Sequence, residues 1–223
     1  MHSKITDLWP ASGVAVRSDD LELRWMDDEL LVELADLAGR GIHDANSMPF
    51  NFPWSRGTAI EVARSVLTYQ WAARGQIAPL GEFALELAVL VGGKPVGIQG
   101  ASGENWRIVR TAETGSWLGR EFQGRGIGTR MRAAIVWALF EGLGADRVTS
   151  GAFIDNAPSA AVSRRLGYEP NGEKVVAREG VQAVQTGFLL RRDRWEVVKG
   201  EHERLLGGPV ELQGFDALRR ELD

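Results

Sequence analysis

The sequence predicts a mixed α/β domain, and three observations carry that prediction. Residues 83–91 and 94–101 read as two strands joined by Gly92-Gly93, the signature of a tight hairpin. A strand-like stretch, 111–118, leads into the glycine loop Gln123-Gly124-Arg125-Gly126-Ile127-Gly128, which opens an amphipathic helix with Ile127, Met131, Ala134, Ile135, Ala138 and Leu139 on one face. The order of elements, β-α-α-β-β-β-α-β-α-β-β, mixes hairpins with helix-linked strands.

Residues 1–20 read as an irregular leader around Trp9-Pro10. Leu21 to Trp25 alternates apolar and polar residues and suits a short strand. Asp27 and Asp28 then precede Leu30, Leu31, Leu34, Leu37 and Ala38, the stripe of a helix with acid in its first turn, stopped at Gly39 and Gly41. Residues 42–57 form an aromatic, proline-bearing loop, and Ile60, Ala63, Val66, Leu67 and Trp71 restore the helical period over 58–73. The helix opened by the glycine loop ends near Gly142 and Gly144. Residues 147–154 read as a strand, and Asn156 to Leu166 as a short helix closed by Gly167, which suits a left-handed cap. Strands follow from Tyr168 and over 185–191, and the charged tail, 195–223, carries a last helix near 215–222.

Composition narrows the function. The 223 residues hold 26 Lys+Arg against 30 Asp+Glu, a net charge of −4, which argues against a nucleic-acid partner held by bulk charge. No apolar run approaches the roughly 20 residues that cross a bilayer, and no secretory signal opens the chain. With no cysteine there is no disulfide, thiolate metal site or Cys nucleophile, and a cytoplasmic address is expected. The three histidines, His2, His43 and His202, lack ligand spacing, so no metal is expected.

The glycine loop is the most informative segment. Without Cβ atoms its backbone N–H groups can turn inward on an anion, and the helix behind adds unsatisfied donors and partial positive charge. Arg120, Arg125, Arg130 and Arg132 add charge around it, so a ligand with several phosphates fits. The dinucleotide fingerprint fails because its third glycine position is Thr129, and no Gly-Lys-Ser/Thr is present. The pattern that fits is Q-x-x-G-x-G, as Gln123, Gly126 and Gly128.

With Asp155-Asn156-Ala157-Pro158-Ser159 through Arg164-Arg165-Leu166-Gly167-Tyr168 further on, this loop resembles the GNAT superfamily of acyl-CoA-dependent N-acyltransferases, over roughly residues 21–192. Thr114-Gly-Ser-Trp-Leu-Gly119 looks most like the branch holding ribosomal-protein N-terminal alanine acetyltransferases. The resemblance implies a twisted, mostly antiparallel sheet flanked by helices, with one splayed strand pair. It implies that the loop backbone from Gln123 through Gly124, Arg125, Gly126, Ile127 and Gly128 to Thr129 binds the CoA diphosphate. The strand at Trp117 and Leu118 would part from 147–154 to admit the pantetheine arm, and Asn156 would cap its helix, hydrogen-bond that arm, or both.

Catalytic groups are less marked. Many members carry a Tyr at the position of Ser163, so the proton donor lies among Ser159, Ser163, Tyr168 or a water. Glu113, on the strand entering the loop, is the candidate base, its pKa raised if its setting is apolar; Glu86 is the second. His43 and Asp44 sit in the loop that forms an acceptor wall in the family. Met48, Phe50, Phe52 and Trp54, with Trp71 and Trp106, would line that pocket or pack the core. Arg164 and Arg165 would meet the 3′-phosphate or stay solvated.

The expectation is therefore an N-acyltransferase over 21–195, with a leader at 1–20 and an extension at 196–223 that could reach a partner subunit of a homodimer. Its co-substrate is acetyl-CoA or another acyl-CoA such as succinyl-CoA, and its acceptor a protein N-terminus or a small amine such as an aminoglycoside. The competing readings are a non-catalytic acyl-CoA sensor and an interaction module that binds no CoA.

Overall fold

The computed structural model describes residues 4–76 and 82–223; His2 and the first three residues of the expected leader lie outside them. Among the described residues the helices are α1 (Ile5–Leu8), α2 (Asp28–Gly39), α3 (Ala59–Arg74), α4 (Trp106–Val109), α5 (Ile127–Trp137), α6 (Ala157–Arg165), α7 (Arg192–Leu206) and α8 (Phe215–Leu222). The strands are β1 (Ala15–Ser18), β2 (Leu21–Arg24), β3 (Phe83–Val91), β4 (Lys94–Gly103), β5 (Thr111–Leu118), β6 (Arg147–Phe153), β7 (Glu169–Arg178), β8 (Val181–Arg191) and β9 (Glu211–Gln213).

These strands form one sheet in the order β7-β8-β6-β5-β4-β3-β2-β1-β9. Every pairing is antiparallel except β5 with β6, whose connection carries α5. That parallel pair is short. Its rungs are Thr111 with Arg147, Ala112 with Val148 and Glu113 with Thr149, and the Thr114 hydroxyl closes the seam on the Thr149 carbonyl at 3.1 Å. Beyond that point β5 stays paired to β4 and β6 to β8, so the sheet opens in a V, as the sequence led us to expect for Trp117 and Leu118.

Side-chain alternation gives the V two faces. Ala112, Thr114, Ser116 and Leu118 of β5 face α5 and α6, and Glu113, Gly115 and Trp117 face the side of α2, α3 and the loop between them. The helix ends follow local chemistry. Asp27 accepts from Leu30 N at 2.9 Å, and Thr58 with Glu61 makes a reciprocal capping box at the start of α3. Thr58→Ala is therefore expected to lower stability by about 1 kcal/mol in urea unfolding.

Two stretches differ from the sequence expectation. The leader is not irregular, since β1 pairs with β2 through Asp19-Asp20 and Val16 is buried; at four residues its alternation was too short to read. The tail holds α7 and β9 as well as the expected α8. In α7 the buried Trp195, His202 and Leu206 share a stripe that Gly200 and many charges disguise. Trp195 stacks on Phe140 at 4.9 Å, and β9 pairs with β1 while Phe215, Leu218 and Leu222 of α8 are buried. Trp195, Leu206, Phe215, Leu218 and Leu222 of the tail are thus covered by their own chain, while Val197 is exposed.

Candidate functional site

The wide end of the V meets the glycine loop. Gly124 and Gly126 have φ of +73° and +79°, and a Cβ on either would touch nothing within 4 Å, so backbone conformation rather than space calls for glycine. Gly128 lies outside the left-handed region, and a Cβ there would meet only Leu118, at 3.7 Å. The N–H groups of Gln123 and Thr129 donate within the turn, to the carbonyls of Arg120 and Gly126. Between them, the N–H groups of Gly124, Arg125, Gly126, Ile127 and Gly128 have no backbone acceptor among the described residues. Five adjacent free donors at a helix N-terminus are an arrangement that suits an anion. The Gln123 side chain does not face it: its amide nitrogen donates to the carbonyls of Ile42, at 2.6 Å, and Leu118, at 3.0 Å, and so fastens the loop to β5 and the end of α2. Arg120 pairs with Asp44 and Arg130 with Asp20, which leaves Arg125 in the loop without an ion pair among the described residues.

On the face of α5, the V is crossed by Arg132. Its guanidinium donates to the hydroxyls of Ser150 on β6 at 2.7 Å, Ser163 on α6 at 3.4 Å and Ser116 on β5 at 3.4 Å. Burial lowers the pKa of Arg132. Tyr168 is buried beside it, and burial pushes its phenol up to about 12, so it stays neutral. Asn156 caps α6 by accepting from Ser159 N at 3.3 Å. Ser159 is half-buried, whereas Ser163 is fully enclosed and belongs to the Arg132 cluster.

The opposite face holds the carboxylates. Glu113, expected in an apolar setting, is instead exposed at the last rung of the parallel seam. Gly115, its neighbour on that face, leaves the strand open there. Glu86 on β3 is the enclosed carboxylate. Burial raises its pKa to about 7, against hydrogen bonds from Gln70 and Tyr69 that lower it; Tyr69 Oη donates at 3.1 Å and Gln70 Nε2 at 3.5 Å. Tyr69, facing that carboxylate, has its own pKa raised.

Register shows where the Glu86 carboxylate points. Glu86 pairs with Gly100 and Gly100 with Gly115, so the three share one row across the sheet. A Cβ on Gly100 would stand 2.5 Å from Glu86 Oε1, which means the carboxylate lies over Gly100, toward the V. With strands about 4.8 Å apart, it sits one strand from open Gly115. Two glycines thus leave a strip free of side chains between the carboxylate and the opening.

The 42–57 loop walls this strip. Trp117 tilts against Trp54 with centroids 6.2 Å apart, Trp54 against Phe50 at 4.9 Å, and Phe50 against His43 at 6.0 Å. Arg56 ties the loop to the β7–β8 turn through both oxygens of Glu179, at 2.8 and 3.1 Å, and Arg178 grips Asp155 at 2.9 and 2.6 Å. Other proposed lining residues are elsewhere. Trp106 is buried against Phe83, Trp71 is exposed beside Asp28 and Phe52 is exposed, while Met48 is buried beneath the loop against Ser55. His43 bonds Ser55 at 2.7 Å, Arg164 lies over Phe188, and Arg165 is exposed. Among the described residues no cluster of three or more His, Asp or Glu could hold a metal, and no helix is long and apolar enough to cross a membrane.

A split sheet with a loop of unpaired backbone N–H groups at its mouth and a high-pKa carboxylate across the gap defines the class of site. The chain belongs to the acetyltransferase (GNAT) domain family, whose profile matches residues 20–169. It is 36% identical over 75 residues to YdaF of Bacillus subtilis (strain 168), provisionally named a ribosomal N-acetyltransferase; the match spans 34% of this chain and 39% of that protein. Among solved structures, Mycobacterium smegmatis RimJ in complex with CoA-disulfide superposes with a TM-score of 0.69 at 17% identity, over 89% of this chain and 96% of that one. The ribosomal-protein-S5-alanine acetyltransferase of Vibrio fischeri gives 0.64 at 19% identity, over 81% and 98%. At these identities the likeness shows the fold.

Proposed function

We propose that the protein transfers an acyl group from an acyl-CoA thioester to a primary amine by direct attack, with Glu86 as the base. The observation that carries this reading is the alignment of three features: unpaired N–H groups at 124–128, the open V, and a carboxylate of pKa about 7 lying over Gly100. The diphosphate occupies the loop. The pantetheine arm enters the V, where strand N–H and C=O groups released from pairing meet its amides. The amine approaches from the other face, between the Trp117–Trp54 wall and Glu86.

Glu86 takes a proton from the ammonium, and the freed lone pair adds to the thioester carbon. A β5 backbone N–H bonds the resulting oxyanion. As the intermediate collapses the C–S bond breaks, the amine loses its second proton to solvent, and the thiolate leaves toward Ser163. The Ser163 oxygen accepts from Arg132 and its proton rests on the Ser159 carbonyl at 3.5 Å, a long bond that it gives up to meet the thiolate. A thiol of pKa about 8.5 leaves readily as an anion, so Ser163→Ala is expected to lower kcat about ten-fold or less. Ser159 and Glu113 are expected to matter less still.

A base near pH 7 also favours one acceptor class. An α-amine, with pKa about 7.7–8.0, gives up its proton nearly evenly to such a carboxylate, whereas a lysine at about 10.4 does not. The proposed acceptor is therefore a peptide N-terminus. Thioester consumption measured with acetyl-CoA and paired N-terminal and lysine-bearing peptides tests this. Turnover of the N-terminal amine supports it, and tight CoA binding without turnover of any amine would mark a sensor instead.

A further inference from the structure

We propose that Arg132 is the receptor for a carboxylate at the far end of the acyl chain, so that the preferred donor is the CoA thioester of a dicarboxylic acid. This rests on the acyl-transfer reading above and deepens it. Arg132 is 6% exposed and forms no ion pair among the described residues. A buried guanidinium normally faces a carboxylate, since an uncompensated buried charge is costly. Here three neutral serine hydroxyls stand in that place, contributed by β5, β6 and α6.

The distribution of its donors is informative. Nη1 is occupied by Ser150 and Ser163, and Nη2 makes one long bond of 3.4 Å to Ser116. Nε is buried without any partner. The unused donors therefore lie on the Nε–Nη2 edge, the fork that pairs side-on with both oxygens of a carboxylate. The Ser163 hydroxyl donates to the Ser159 carbonyl at 3.5 Å, whereas the hydroxyl protons of Ser116 and Ser150 have no acceptor among the described residues, and the Tyr168 hydroxyl is buried beside Arg132. The cluster has donors to spare and no negative charge.

Arg132 lies in the V beyond the phosphate loop. Arg132 lies six residues beyond Gly126, about 9 Å down α5 from the phosphate loop. A thioester arm that starts at the loop and runs into the V beside α5 comes to the gap between Ser116 and Ser150, which Arg132 spans. An acetyl group offers this guanidinium nothing, whereas a four-carbon dicarboxylic acyl group carries an anion two methylenes past the carbonyl. The transfer chemistry is the same: the C–N bond forms, the C–S bond breaks, and the product amide keeps its free carboxylate.

Calorimetry with succinyl-CoA and acetyl-CoA, alongside thioester consumption with one N-terminal peptide, tests the assignment. Wild-type protein is expected to favour succinyl-CoA by at least about ten-fold in Kd and in kcat/KM. Arg132→Met should bring both ratios to about one, with Arg132→Lys between, as expected when a point charge replaces the fork. Equal use of the two thioesters by wild type, or a ratio unchanged in Arg132→Met, overturns the proposal and leaves acyl transfer standing. Affinity for neither thioester removes the acyl-transfer reading and this proposal with it. The wild-type ratio decides the matter even if a variant fails to fold.

Discussion

Glu86→Gln is expected to lower kcat about 10²–10⁴-fold, the usual contribution of a positioned base. The amide keeps the shape and the hydrogen bonds available to Gln70 and Tyr69 but accepts no proton. In wild type the rate should rise with pH through about 7, as the carboxylate ionises, and this limb should be missing in the variant. Stability should move the other way. Because the folded pKa is raised from 4.5 to about 7, the folded form holds a proton that the unfolded chain has released, and wild-type stability falls as pH rises across that window. Glu86→Gln should abolish this fall, making the variant the more stable protein above pH 7 and about equal below 4.5. Glu113→Gln, at an exposed position, serves as the contrast, and a larger loss there than at Glu86 would reverse the assignment. Gly100→Ala is a second probe: its methyl would occupy the space over which the Glu86 carboxylate lies, displacing a flexible side chain while leaving the strand intact.

Gly126→Val is expected to weaken CoA binding by at least about ten-fold, because φ of +79° is costly for a β-branched residue, by about 1–3 kcal/mol. The chain would relax by turning the N–H groups of Gly126 and Ile127 away from their common focus. Gly126→Asn, a residue that enters the left-handed region more easily, should retain more affinity than Val. Calorimetry against CoA for the two variants measures the difference, and an identical loss in both would show that conformation is not the cause.

Much of this was legible in the sequence because the signals were local. The hairpin at Gly92-Gly93, the Gly126 helix start and the Asn156 cap each depend on a few adjacent residues, and all three appear where the pattern places them. What escaped was set by distant pairing. Glu86 and Glu113 look alike in the chain, one in an apolar run and one in a polar strand. Only register reveals that Glu86 lies along a glycine row while Glu113 faces solvent. Arg132 read as one more phosphate-side arginine, and its enclosure by three serines from three elements has no linear signature. In the tail, Trp195 and Phe215 are buried by residues of α5 and the turn after it, which hides an apolar stripe among charges.

The account depends most on the unpaired backbone donors between Gln123 and Thr129. Titrating ¹⁵N-labelled protein with CoA and following the amide resonances tests it directly. The expected result is saturable movement of the 124–128 amides to lower field, as charged phosphate oxygens take up their hydrogen bonds. Saturation by CoA with those five amides unmoved, or no saturation at all, would contradict it.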